Sequence, residues 1–289
     1  VPAIARHRND LAAFAIQAQA EAGRFDAETR QRAGSRLGLR LAVIGKGGAG
    51  KTVLSSTVAR LLARRGRNVL AADLDTNPGL AMSLGMAPTE AGLPAEAVEE
   101  REGANYGWQL ASGLAPAQAV ARYSTPGPDG LRFLGVGKID SPLKLGAKQS
   151  VPAVVQILLG MGSPDWDVVA DLEAGPTTPF ERYHAFASAV LVVVGPAWRS
   201  AMTARRLLPM VTEVEVRIVA NQYREEPDHP GLAPWARIPF DPAVREAERR
   251  GLAPLDACPD TPAILALGRL VDRLLATAGT APADKGGRT

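Results

Sequence analysis

Hydrophobic positions switch between two periods along this chain. Leu39–Ile44 is an unbroken apolar run of strand length, and Lys51–Arg65 then sets Val53, Leu54, Val58, Leu61 and Leu62 on one side of a helix. Asn68–Ala72 reads as a second strand. The stretch 85–130 is rich in Gly, Pro and Glu, and its weak periodicity predicts no ordered set of elements. Alternation then resumes, with strands predicted at Leu131–Val136, Asp167–Asp171, Ala189–Val194 and Val214–Ala220, and helices at Val151–Met161 and Ser200–Met210. Asp241–Arg250 and Thr261–Thr277 read as closing helices, the first opening on an Asp-Pro N-cap and first-turn proline. Strands alternating with helices predict an α/β fold, a three-layer αβα sandwich around a mostly parallel sheet. Ahead of it, Leu11, Phe14, Ala18 and Phe25 recur at roughly helical spacing over 8–33, which predicts an N-terminal helical extension covering 1–37. The core domain is then 38–278, and the polar tail 279–289 is expected to be disordered.

Composition narrows the chemistry. The 289 residues are 46% hydrophobic and 22% charged, a globular balance. A formal net charge of +3 is too small to imply a nucleic-acid partner, though it leaves DNA possible. The single cysteine, Cys258, excludes an intramolecular disulfide and any Cys-only zinc or iron–sulfur site within one chain. His7, His184 and His229 have no paired ligand spacing. No apolar run reaches a membrane-spanning length, and Arg6, Arg8, Asp10 and Glu21 interrupt the start of the chain. The expectation is a soluble, cytoplasmic protein with no stable membrane insertion.

The strongest chemical signal is Gly45-Lys46-Gly47-Gly48-Ala49-Gly50-Lys51-Thr52, which fits G-x-x-x-x-G-K-[ST] between a predicted strand and a predicted helix. Its glycines let successive backbone N–H groups turn inward as a nest for phosphate oxygens, and the following helix adds its positive dipole end. In that loop Lys51 neutralises β- and γ-phosphates, and the Thr52 hydroxyl ligates Mg²⁺. Asp171 ends an apolar strand, as a carboxylate holding Mg²⁺ through water should, and Gly175 beyond it would let the next loop approach the γ-phosphate.

The extra lysine, Lys46, makes the loop resemble the deviant Walker A motif of the MinD/ParA ATPase superfamily. That resemblance implies that Lys46 reaches across a homodimer interface to the partner's nucleotide, and that the dimer forms on ATP binding. Asp73-Leu74-Asp75-Thr76-Asn77-Pro78 falls where this superfamily carries its first switch, implying that Asp75 orients the attacking water and Asp73 supports the metal shell. Asn221-Gln222-Tyr223-Arg224 falls where related GTPases carry N-K-x-D; Arg224 stands in place of the guanine-pairing aspartate, which favours ATP. Ile238-Pro239-Phe240-Asp241-Pro242 matches the superfamily element that lines adenine, so Asn221, Pro239, Phe240 and Asp241 join Gly47, Gly48, Ala49 and Gly50 as nucleotide-site candidates. Phe240 is equally readable as core packing.

Within the superfamily, Asp171-Leu172-Glu173-Ala174-Gly175, Asp73–Leu80 and Leu134–Ile139 look most like the CooC ATPases that mature carbon monoxide dehydrogenase. The resemblance spans about residues 38–277 and implies an accessory ATPase acting on a client protein such as a metalloenzyme. The Cys-x-Cys metal motif of CooC is absent, because residues 140–151 contain no cysteine. A positioning or partition ATPase that binds DNA or membrane in its ATP state is the alternative, and a nucleotide binder without turnover is a third. The closing helix, with Leu265, Leu267, Leu270, Val271, Leu274 and Leu275 on its apolar side, lacks the basic face of a membrane-targeting helix and is expected to pack on the core.

Overall fold

The computed structural model describes residues 38–89, 92–102, 108–137, 147–161, 166–173, 182–225 and 231–278. The expected helix over 8–33, the tail from residue 279 and Gly175 lie outside the described residues. Strands β1 (Arg40–Gly45), β2 (Asn68–Leu74), β5 (Thr125–Pro126), β6 (Arg132–Gly135), β7 (Trp166–Leu172), β8 (Ala189–Val194), β9 (Glu215–Tyr223) and β10 (Ala236–Pro239) form one sheet. Their order is β10-β9-β8-β1-β7-β2-β6-β5, and every pairing is parallel except that of β5 with β6.

Alternation along the strands builds the two outer layers. In β8, Val190, Val192 and Val194 enter one core, while Leu191 and Val193 enter the other. The first core is covered by α3 (Pro116–Tyr123), α4 (Ala147–Gly160) and α5 (Trp198–Leu207). The second is covered by α1 (Lys51–Arg64), α2 (Leu80–Leu84), α7 (Pro254–Ala257) and α8 (Pro262–Ala278). A sheet buried on both faces explains why the strands read as continuous apolar runs rather than alternating ones. The αβα architecture expected from the sequence is the one observed, and α8 packs on the core as expected, but through Ile264, Leu267, Leu270, Val271 and Leu274; of the expected apolar side, Leu275 is only partly buried and Leu265 faces water.

Three local expectations change. The stretch 85–130 contains a hairpin of β3 (Val98–Glu100) and β4 (Trp108–Leu110), followed by α3; these elements are too short for periodicity to register. Helix α4 begins at Ala147 rather than Val151, so Pro152 stands inside it instead of near its start. Strand β10 went unrecognised because its four residues, Ala-Arg-Ile-Pro, offer one strongly apolar side chain before a proline. As expected, Asp241 caps α6 (Pro242–Arg249), its carboxylate accepting the Ala243 N–H at 3.0 Å.

Candidate nucleotide site

The loop 46–50 leaves β1 at the carboxyl edge of the sheet and feeds α1. Gly50 is left-handed, φ +85°, and a Cβ there would stand 2.4 Å from Asn221 Nδ2, so the position requires glycine for conformation and for space. The Asn221 amide donates to the Ala49 carbonyl at 2.8 Å, and Gln222, itself at φ +62°, donates to the Gly48 carbonyl at 3.5 Å. These two side chains from the end of β9 brace the loop from behind. No side chain caps α1, and its first turn carries no acidic residue, so its dipole end is left for an anion. Lys51 is buried beneath the loop, whereas Lys46 is partly exposed with its Nζ 3.5 Å from the Gly47 carbonyl.

Strand register supplies the acidic side. Asp73 on β2 pairs with Asp171 on β7, and in-register neighbours of a parallel pair point to the same face. Val169 of β7 enters the core beneath α1, so Asp171, two residues on, points toward α1 as well. There Asp171 accepts the Thr52 hydroxyl at 2.6 Å, and Ser55 Oγ lies 3.3 Å from its other oxygen. Burial, then the neighbouring Asp73 charge, pushes the Asp171 carboxyl up to about 7. Asp73 is pushed up to about 6 by burial, although it accepts N–H bonds from Leu80 (2.9 Å), Asp75 (3.1 Å) and Gly79 (3.1 Å). Those bonds make Asp73 the organiser of the 75–79 loop, in which Asp75 accepts the Asn77 N–H at 2.8 Å and Thr76 donates to Glu173 at 3.2 Å.

This donor set fits Mg²⁺. A hydroxyl and a buried carboxylate with raised proton affinity meet beside a cationic loop, and hard oxygen ligands of that kind are what the ion takes. Among the described residues no group of three His, Cys, Asp or Glu side chains converges on a metal position, so phosphate and water oxygens would complete the shell.

Beside the loop opens a cavity of about 450 Å³, lined by Gly50, Asn221, Pro239, Phe240, Asp241 and Arg245 among others. A register shift between Ile238 and Pro239 ends β10, and Phe240 is fixed by donating its N–H to the Tyr223 carbonyl at 2.7 Å. The Arg224 guanidinium lies 4.1 Å from the Phe240 ring centroid, stacking on its face. Phe240 is therefore cavity wall rather than core. Asp241 also borders the cavity, but its carboxylate is committed to the Ala243 N–H and, at 3.4 Å, to the Ala263 N–H.

The family description "CobQ/CobB/MinD/ParA nucleotide binding domain" matches residues 41–255. The chain belongs to this family. An uncharacterized ATP-binding protein of Methanocaldococcus jannaschii is 25% identical over 234 residues, 74% of this chain and 90% of that protein. The carbon monoxide dehydrogenase accessory protein CooC of Rhodospirillum rubrum is 28% identical over 242 residues, 76% of this chain and 91% of that protein. The fold of the septum site-determining protein MinD from Pyrococcus horikoshii, solved with Mg-ADP, superposes with a TM-score of 0.63 at 18% identity, covering 84% of this chain and 98% of that one.

In this MinD/ParA-type nucleotide site the structure brings Gly47, Gly48, Ala49, Gly50, Lys51, Thr52, Asp73, Asp75, Asp171 and Asn221 to one edge of the sheet. Sequence reasoning missed Ser55 and Gln222. Ser55 was findable, one helical turn after Lys51 on the face that meets β7, whereas the left-handed backbone of Gln222 leaves no sequence signal. No helix among the described residues is long and apolar enough to cross a membrane.

Proposed function

We propose that the protein is a Mg-ATP-dependent switch ATPase that pairs with a second copy of itself when ATP is bound and acts as an accessory factor on a client protein. The observation that carries the reading is the Lys46/Lys51 loop facing paired carboxylates on β2 and β7. Gly47, Gly48, Ala49 and Gly50 wrap the phosphates with backbone N–H groups, and Lys51 neutralises the β- and γ-phosphates. Thr52 and Asp171 would hold Mg²⁺, with Asp73 fixing the adjoining loop. The ion, when bound, supplies positive charge to the phosphate oxygens. Asp75 orients a water toward the γ-phosphorus; the new P–O bond forms as the bond to the β–γ bridging oxygen breaks, giving ADP and phosphate. Asn221, Pro239, Phe240 and Asp241 shape the base pocket, where Arg224 occupies the position of a guanine-pairing carboxylate and so selects ATP over GTP.

Lys46 reaches the nucleotide of the second copy, so that only the ATP state is closed. The resemblance to CooC supports a maturation client such as a metalloenzyme, although the lack of a Cys-x-Cys pair removes the thiolates by which a dimer would carry nickel or zinc. Phosphate release tests the chemistry. The expected result is turnover of ATP but not GTP by wild type, with Asp75→Ala still binding ATP and its turnover reduced at least tenfold. Equal turnover of both proteins would overturn the role of Asp75, and ATP-dependent, salt-sensitive retention on duplex DNA would overturn the client reading.

A further inference from the structure

Trp198 opens α5 and is 65% exposed, more than Met82, Leu252 and Leu265, the other large apolar side chains that face water among the described residues. Isolated exposed apolar residues are ordinary, so position has to carry the argument. Strand β8 lies beside β1, and the turn after it runs along the phosphate loop: a Cβ on Gly195 would be 3.7 Å from the Ala49 Cα. The turn is pinned at both ends. The Gly195 N–H donates to Ser200 Oγ at 2.9 Å, and the Tyr223 hydroxyl donates to the Gly195 carbonyl at 3.3 Å. From this fixed turn Pro196, Ala197, Trp198 and Arg199 all face water. A rigidly presented Trp beside an Arg is the composition that dominates protein–protein hot spots.

The same edge of the sheet is charged asymmetrically. Following the order β8-β1-β7-β2, the strand exits carry Arg199, then Lys46, then Glu173, then Asp75. Cations occupy one half and carboxylates the other. A two-fold interface lays such an edge on its own image in reverse, so each cationic half meets a carboxylate half. We infer that Trp198 and Arg199 form the anchor by which a second copy of this chain docks over the nucleotide edge. This rests on the ATP-dependent pairing proposed above, and adds the residues that hold the pair together outside the nucleotide.

The test is light scattering coupled to size exclusion, with Mg²⁺ and a non-hydrolysable ATP analogue, on full-length wild type, Trp198→Ala and Arg199→Glu. Analogue affinity of the monomer is measured with a fluorescent non-hydrolysable ATP analogue at protein concentrations well below the wild-type dimer dissociation constant, so that pairing does not contribute, and folding by circular dichroism. The expected result is a wild-type dimer, a dimer dissociation constant at least tenfold weaker in both variants, and unchanged analogue affinity. Tryptophan emission should also shift to the blue on dimerisation of wild type, and this shift should be absent in Trp198→Phe. If wild type and both variants dimerise equally, the anchor is overturned and the pairing stands. Wild type remaining monomeric with analogue bound overturns the pairing and the anchor together. A Trp198→Ala variant that loses analogue affinity assigns Trp198 to the nucleotide pocket and likewise overturns the anchor.

Discussion

The Thr52 hydroxyl donates to the Asp171 carboxylate at 2.6 Å, joining two residues 119 positions apart. The bond fastens the first turn of α1 to the end of β7 and sets the pair proposed to hold Mg²⁺ in place from two secondary-structure elements rather than from loops. Asp171→Asn removes the charge but keeps the shape. Its Mg²⁺-dependent nucleotide affinity is expected to fall by about tenfold or more in titration calorimetry, with the fold retained. The variant also tests the electrostatics. Because burial raises the Asp171 carboxyl to about 7 in the fold, the protein free of nucleotide and metal holds that proton more tightly than the unfolded chain does. Stability from this group is full below an ordinary carboxylate value of about 4 and is lost as pH rises through about 7, at up to about 1.4 kcal/mol per pH unit. The melting temperature of Asp171→Asn, compared with wild type across that window, should lack this downward component.

Gly50 and Gly48 separate backbone strain from steric fit. Both are left-handed, at φ +85° and +80°, but an added Cβ at Gly50 meets Asn221 while one at Gly48 meets nothing within 4 Å. Gly48→Ala should cost about 1 kcal/mol of stability, the conformational penalty alone. Gly50→Ala should cost about 2–3 kcal/mol and displace the Asn221 brace, with nucleotide affinity falling as well. Urea unfolding of the two variants makes the comparison.

That contrast marks what was legible in the sequence. The phosphate loop was readable because its spacing, the strand before it and the helix after it all agree, and Asp171 followed from the apolar run it terminates. The Asn221–Ala49 contact was not readable, since it depends on β9 ending level with β1 although 172 residues separate the two partners. Phe240 was ambiguous because an aromatic after a short strand serves a core or a pocket equally well, and only the register shift at Pro239 and the Arg224 stack place it on the cavity wall. Trp198 gave no signal at all, since an apolar residue opening a helix reads as core until its exposure is known.

His184 predicts acid sensitivity in the opposite direction from Asp171. It is buried, its Nδ1 has no hydrogen-bond partner among the described residues, and burial together with the Arg182 charge pushes its imidazole down to about 4, against a weaker pull from Glu213. The unfolded chain takes up that proton near its ordinary value of about 6.5, so stability present above it is lost as pH falls toward about 4. The slope is up to about 1.4 kcal/mol per pH unit. His184→Leu should lack this acid loss while keeping the carboxylate contributions, so the difference in melting temperature between variant and wild type isolates the histidine.

Arg60 holds α1 to its surroundings from beneath. Its side chain is only 4% exposed and pairs with Asp129 at 2.7 Å and with Asp256 at 2.9 Å, while Arg64 reaches both at 3.1 Å. Arg60→Ala empties a buried position beneath α1 but leaves Arg64 on both carboxylates and Asp256 half exposed, so it should cost about 1–2 kcal/mol. Arg249→Ala breaks a pair with Glu246 at 2.7 Å on the open surface of α6 and should leave the melting temperature unchanged.

Lys46 is where the account is most exposed to test. Wild type and Lys46→Ala are compared by light scattering during size exclusion, with Mg²⁺ and either ADP or a non-hydrolysable ATP analogue. The predicted result is a mass near 30.3 kDa for both proteins with ADP, and twice that mass with the analogue for wild type alone. A mass indifferent to nucleotide, or an analogue-bound dimer that survives Lys46→Ala, would contradict the two-site switch.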